Sequence, residues 1–126
     1  MLKIKILIID DEEDYCMILK HFFSKKGCEV FLAYTLKQGL QSLHEHSIDI
    51  LFLDNNLPDG NGWQVVDKII AEKQTIKIYL ISAYKHKTDF TGNSLQVTVW
   101  EKPISFQLLE QILTTPEGKI QQKESM

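Results

Sequence analysis

The sequence predicts one α/β domain, a parallel β-sheet covered by helices on both faces. Strand and helix signals alternate along the 126 residues. The strand segments are continuous aliphatic runs, not alternating ones, as expected of strands buried on both faces. Several of these runs end in polar side chains. The length suits a single domain. With 44% hydrophobic and 25% charged residues and a formal net charge of −3, the composition supports a packed core. It argues against disorder and against a generally basic nucleic-acid binder.

Lys3–Ile9 is an aliphatic run that ends in Asp10-Asp11. A helical repeat follows, with Tyr15, Ile18, Leu19 and Phe22 on one face, and it stops near Gly27. Glu29–Tyr34 reads as a shorter strand, and Thr35 can cap a helix carrying Leu36, Leu40 and Leu43. Ile48–Leu53 is the third strand. Turn formers crowd the loop from Asp54 to Gly62, after which Trp63–Glu72 predicts a helix with Val66, Ile69 and Ile70 inward. Ile76–Ile81 is a fourth strand and Gln96–Trp100 a fifth, rich in β-branched residues. The helix expected over 85–94 has only Phe90 as an apolar residue and contains Thr91-Gly92-Asn93, so it should be short or irregular. Phe106, Leu109, Ile112 and Leu113 stripe the last helix. Residues 1–114 thus form the domain, and 115–126 are expected to be a frayed polar tail.

All 14 basic residues are Lys. Without Arg, the usual bidentate reader of guanine and phosphate, direct DNA binding is not expected. Cys16 and Cys28 are too few for a disulfide framework and read as reduced packing residues. The run Ile4–Ile9 is too short for a signal-peptide core or a membrane span. A cytoplasmic domain with no membrane partner is expected.

Ligands of an open parallel sheet bind beyond the carboxyl ends of its strands. There the first strand offers Asp10 and Asp11, the third Asp54 and the fourth Ser82, while Lys102 follows the fifth. Taken alone, the acids from Asp10 to Asp14 would be a cap for the next helix, and Lys102 a surface lysine. Together they suit phosphoryl transfer. Crowded carboxylates call for a hard cation, and Mg²⁺ takes a few carboxylates while keeping waters for a phosphate to displace. Lys102 and the Ser82 hydroxyl can hold phosphoryl oxygens. The lone acid, Asp54, is the nucleophile that would become an aspartyl phosphate, since a paired acid better suits metal holding.

These residues lie in Ile8-Ile9-Asp10-Asp11, Leu53-Asp54-Asn55-Asn56-Leu57-Pro58-Asp59-Gly60-Asn61-Gly62, Ile81-Ser82-Ala83 and Glu101-Lys102-Pro103. In that order they resemble the receiver domain of two-component response regulators, over about residues 3 to 114. The resemblance implies a flavodoxin-like sheet of strand order 2-1-3-4-5. It implies that Asp54 takes a phosphoryl group from a phosphohistidine on a sensor histidine kinase or phosphotransfer protein. Asp11 would bind Mg²⁺ directly, Asp10 largely through water, and Asn56 through its main-chain carbonyl. Ser82 would couple phosphorylation to loop movement, and Lys102 would pair with the phosphate. Such a domain is not an enzyme beyond catalysing its own phosphorylation and dephosphorylation. The Lys102–Pro103 bond matches one that is typically cis in the family.

Where the family usually carries an aromatic switch, three positions before the lysine, this chain has Val99. Trp100 should point to the opposite face. Either a local bulge brings Trp100 into that role, or aromatic flipping does not relay the signal, the reading favoured here. The 19 residues between Ser82 and Lys102 are slightly fewer than is common in the family. Tyr84 and Asn56 flank the phosphate position, so a slow to moderate phosphoryl lifetime is expected. A phosphorylation-independent interaction module is the competing reading. An aspartyl-phosphate phosphatase would need an acid at Asn56 and a cap insertion, and a flavodoxin-type binder would need a phosphate loop after the first strand. Output should come through a downstream effector, a dimer partner or phosphate relay, or through whatever is joined after Thr114 if the chain is part of a larger protein.

Overall fold

A computed structural model of the chain describes residues 3–83 and 96–114. The expected helix over 85–94, Tyr84 and the tail from 115 to 126 lie outside the described residues. The elements run β1 (Lys5–Ile9), α1 (Glu13–Lys25), β2 (Glu29–Ala33), α2 (Leu36–Glu45), β3 (Ile50–Asp54), β4 (Asn56–Leu57), β5 (Gly60–Asn61), α3 (Trp63–Glu72), β6 (Lys77–Ser82), β7 (Val97–Glu101) and α4 (Phe106–Thr114). The main sheet has the order β2-β1-β3-β6-β7, with every pairing parallel. Its five strands therefore follow the expected 2-1-3-4-5 order. The loop after β3 also folds into a two-residue antiparallel hairpin, β4–β5, which the sequence reading did not separate from a plain loop.

Alternation along the buried strands divides the core in two. Ile6 and Ile8 of β1, Phe52 of β3 and Tyr79 and Ile81 of β6 face Cys16, Leu19 and Phe23 of α1 and Leu109, Ile112 and Leu113 of α4. Leu7, Ile9, Leu51, Leu53, Ile78 and Leu80 face Leu36 and Leu43 of α2 and Val66 and Ile69 of α3. Helix α2 comes so close to the sheet that a Cβ on Gly39 would overlap the Ile9 side chain. Its start is fixed as expected, with the Thr35 hydroxyl accepting from Gln38 N at 3.1 Å.

Two helix stripes differ from expectation. In α1 the buried residues are Cys16, Leu19 and Phe23, while Ile18 is 52% exposed. Phe23 packs against Phe52 of β3 (ring centroids 5.5 Å apart), which rotates the inward stripe by one residue. In α4 Phe106 is not core but 56% exposed, stacked on Phe22 at the surface. The strand β7 pairs with β6 in unbroken register, Leu80 with Val99 and Ile81 with Trp100, so there is no bulge. Trp100 accordingly packs on the α1/α4 side and Val99 on the α2/α3 side. Among the described residues no helix is long and apolar enough to cross a membrane.

Candidate functional site

The carboxyl ends of β1, β3, β6 and β7 bring together the acids, hydroxyl and lysine singled out above. Asp10 follows β1 directly, its N–H donating to Ala33 O (3.0 Å) and its Oδ1 accepting from Glu12 N (2.9 Å). Asp54 is the last residue of β3, and its Oδ1 accepts from Asn56 N at 3.2 Å. Ser82, buried, ends β6 and lies opposite Glu101 of β7. Its carbonyl accepts from Lys102 N at 2.9 Å, anchoring the backbone of the lysine beside it. The Lys102–Pro103 bond is cis.

Asn55, legible in the sequence only as part of the turn after Asp54, holds that loop in shape. Asn55 is buried; its N–H donates to Ile81 O (2.7 Å), its carbonyl accepts from Gly62 N (2.9 Å) and its Oδ1 accepts from Trp63 N (3.0 Å). Its backbone N–H thus ties the end of β3 to β6, while its side chain satisfies an otherwise orphaned donor at the start of α3. Asp59 does the same for α2, its carboxylate accepting from Leu36 N (2.8 Å) and Lys37 N (3.0 Å). Those two backbone N–H groups hold Asp59 below the usual carboxylate range.

Carboxylate oxygens of Asp10, Asp11 and Asp54 lie within 4.8 Å of one another. Asp10 and Asp54 are 2% and 4% exposed, so their charges are poorly solvated, whereas Asp11 is exposed. Burial pushes the Asp54 carboxyl up to about 6, and the neighbouring Asp10 charge adds to the rise while Lys102 opposes it. Burial also raises Asp10, against the Glu12 N–H and Lys102. The Lys102 ammonium lies 3.1 Å from Asp10 Oδ2, 2.9 Å from Glu12 Oε1 and 3.5 Å from Asp54 Oδ2. Burial alone would lower its pKa, but the bond to Glu12 and the charges of Asp54 and Asp10 outweigh that and raise it.

One ammonium does not balance this group of acids. The donor set is hard oxygen on a few carboxylates, open to solvent at Asp11, which fits an oxygen-seeking divalent cation and offers no soft ligand. The structure thus brings Asp10, Asp11, Asp54 and Lys102 into one cluster, with Ser82 on the adjacent strand end and the Asn56 backbone in the loop that follows Asp54. Glu12 belongs to the cluster too. The sequence showed it only as one acid in a run of five, and nothing there marked it as the one that reaches Lys102.

A family model described as the response regulator receiver domain matches residues 6–114. Among characterised relatives, regulatory protein VanR of Enterococcus faecium is 31% identical over 68% of this chain and 36% of its own length. Sporulation initiation phosphotransferase F of Bacillus subtilis is 27% identical over 67% of this chain and 68% of its own length. The chain therefore spans only about a third of VanR. Among solved structures, response regulator TrrA of Thermotoga maritima, in complex with Mg²⁺-BeF, superposes with a TM-score of 0.76 at 27% identity, over 90% of this chain and 97% of that one.

Proposed function

The chain belongs to the receiver domains of two-component response regulators, a phosphoacceptor family, and on that premise we propose that Asp54 is its acceptor, taking a phosphoryl group from a phosphohistidine with Mg²⁺ held at Asp10 and Asp11. The observation that carries the proposal is the buried Asp54 carboxylate, which shares one 4.8 Å cluster with two further acids and has Lys102 3.5 Å away. An Asp54 oxygen forms the new O–P bond as the donor's N–P bond breaks, and the electron pair stays on the imidazole nitrogen, which takes up a proton. Asp10, Asp11, Asp54 and the Asn56 main-chain carbonyl would hold the cation, Asp10 largely through water. Bound Mg²⁺ would neutralise charge on the phosphoryl oxygens. Lys102 carries another of those oxygens, and the Ser82 hydroxyl donates to a third and couples phosphorylation to movement of the loop after β6. Catalysis is confined to the domain's own phosphorylation and dephosphorylation.

The donor is a sensor histidine kinase or phosphotransfer protein, and the output is a changed contact with a protein effector or dimer partner. Met17, Ile18, Phe22 and Phe106, flanked by His21, Lys25, Lys26 and Glu110, line a groove of about 570 Å³ between α1 and α4. Met17, Ile18 and Phe106 are each more than half exposed there, an apolar surface suited to an amphipathic helix of the donor. The exchange takes place in the cytoplasm, in keeping with two buried cysteines, Cys16 and Cys28, that are not joined in a disulfide.

Incubation with Mg²⁺ and a small phosphodonor such as acetyl phosphate tests the assignment by intact mass and peptide mapping. One phosphoryl group on the wild type, on the peptide containing Asp54, and none on Asp54→Asn is expected. Absence of label on the wild type would instead favour an interaction module that works without phosphorylation.

A further inference from the structure

Lys102 makes its closest ion pair with Glu12, a residue that the phosphoacceptor reading leaves without a role. We propose that Glu12 is a positioning residue that latches the Lys102 ammonium on the α1 side of the cleft in the unphosphorylated protein, and that phosphorylation opens this latch. The inference rests on the phosphoacceptor reading above and adds a control on how readily Lys102 reaches the incoming group.

Four observations carry it. The Nζ–O distances lengthen from Glu12 (2.9 Å) through Asp10 (3.1 Å) to Asp54 (3.5 Å), so the ammonium is drawn away from the acceptor. The same Nζ lies over the Tyr15 ring of α1, 5.6 Å from its centroid, which places it on the helix side of the cleft. Glu12 occupies the N-cap of α1 and makes no side-chain capping bond, so its carboxylate is not held back against the first turn. Its backbone is instead fixed by the local fold, with Glu12 N donating to Asp10 Oδ1 and Glu12 O accepting from Cys16 N. These bonds fix the backbone from which the carboxylate reaches Lys102.

The chemistry gives the direction of the effect. A contact made in the ground state and given up as Lys102 turns to a phosphoryl oxygen raises the barrier; removing it speeds the step. A cation shared by Asp10 and Asp11 would draw Asp10 from the lysine and leave Glu12 as its main anchor. The Glu12 side chain is 63% exposed, so the pair is solvent-screened and the latch is weak enough to open reversibly. Removing it should therefore change rates by a few-fold, not by orders of magnitude.

The test compares Glu12→Gln with Glu13→Gln in the full chain, at saturating Mg²⁺, with acetyl phosphate as donor. Both variants remove one exposed negative charge at the start of α1, but Glu13 makes no contact with Lys102. The proposal expects Glu12→Gln to label about threefold faster than wild type. It expects Glu13→Gln to stay within about 1.5-fold, and the decay of the aspartyl phosphate in Glu12→Gln to match wild type, because the latch is already open in that state. Equal acceleration by the two variants would reduce the effect to general charge repulsion of the donor and overturn the latch. Slower or unchanged labelling of Glu12→Gln would overturn it as well, as would a decay rate that shifts in step with labelling. Thermal melting of each variant separates loss of fold from loss of the contact. Failure of the wild type itself to label would refute the phosphoacceptor reading, a result distinct from any of these.

Discussion

Replacing Asp54 by Asn should stabilise the cation-free protein at neutral pH while abolishing phosphorylation. The acid is 4% exposed, and its pKa stands at about 6 against an ordinary 3.8, chiefly through burial and then through the charge of Asp10. At 1.36 kcal/mol per pH unit, holding this carboxylate ionised in the folded chain costs about 3 kcal/mol. The amide keeps the shape and can still accept from Asn56 N, but it carries no charge. Between pH 3.8 and 6 the folded state binds more protons at Asp54 than the unfolded state does, so this contribution to stability is lost as pH rises through the window. The advantage of Asp54→Asn should consequently be small near pH 4, grow through that window and level off at about 3 kcal/mol above pH 6. Urea denaturation in EDTA at a series of pH values measures it. Added Mg²⁺ should narrow the gap by stabilising only the wild type, by about 2.7 kcal/mol at a hundredfold excess over Kd. A variant no more stable than wild type at pH 7.5, or a gap that does not change with pH, would refute the charge-crowding argument.

Met17→Ala and Phe106→Ala, at positions more than half exposed in the α1/α4 groove, should lower phosphoryl transfer from a phosphohistidine protein by about tenfold while leaving labelling by acetyl phosphate unchanged. Paired rate measurements with the two donors check this. Gly62→Ala would place a Cβ 2.5 Å from the Asp54 carbonyl oxygen and 3.3 Å from Asn55 Cα, both backbone atoms. It should cost about 1–3 kcal/mol in denaturation and slow labelling by displacing the acceptor loop. The aspartyl phosphate should decay slowly to moderately, and a decay as fast as that of the quickest chemotaxis-type regulators would contradict the lifetime expected from Asn56 and Tyr84 in the sequence.

The sheet was legible because its strands are buried on both faces, and burial of that kind writes itself as unbroken aliphatic runs such as Ile6–Ile9 and Ile50–Leu53. Asp10, Asp11, Asp54 and Lys102 were legible because a parallel sheet gathers its strand ends at one edge. Residues whose roles depend on rotation or reach were not. Ile18 and Phe106 satisfy helical spacing as well as their buried neighbours do, and only the packing of Phe23 on Phe52 and of Phe106 on Phe22 decides which of them faces inward. Asn55 looked like any turn former, since its value lies in three hydrogen bonds to segments distant in sequence or across the loop. Glu12 is chemically the same as Glu13, and the turn of the backbone at Asp10 makes the difference between them.

The position of Trp100 bears on how phosphorylation would be felt elsewhere. Val99 presents no ring to flip, and unbroken pairing with β6 keeps Trp100 on the α1/α4 side. There it joins a contiguous series of rings: Trp100 with Tyr79 (4.6 Å), Tyr79 with Phe52 (5.3 Å), Phe52 with Phe23 (5.5 Å), Phe23 with Phe22 (5.1 Å) and Phe22 with the exposed Phe106 (5.3 Å). Lys102 follows β7 directly and its ammonium lies over the ring of Tyr15, which packs against the same core cluster as Trp100. A shift of Lys102 toward a phosphoryl oxygen would therefore act first on Tyr15 and, through the shared cluster, on Trp100, on the side that carries the apolar groove, and not on Val99. With Trp63→Phe leaving Trp100 as the sole tryptophan, beryllium fluoride and Mg²⁺ should alter its emission, and Val99→Ala should leave that change intact. An emission unmoved by the phosphoryl mimic, or abolished by Val99→Ala, would place the response on the α2/α3 side instead.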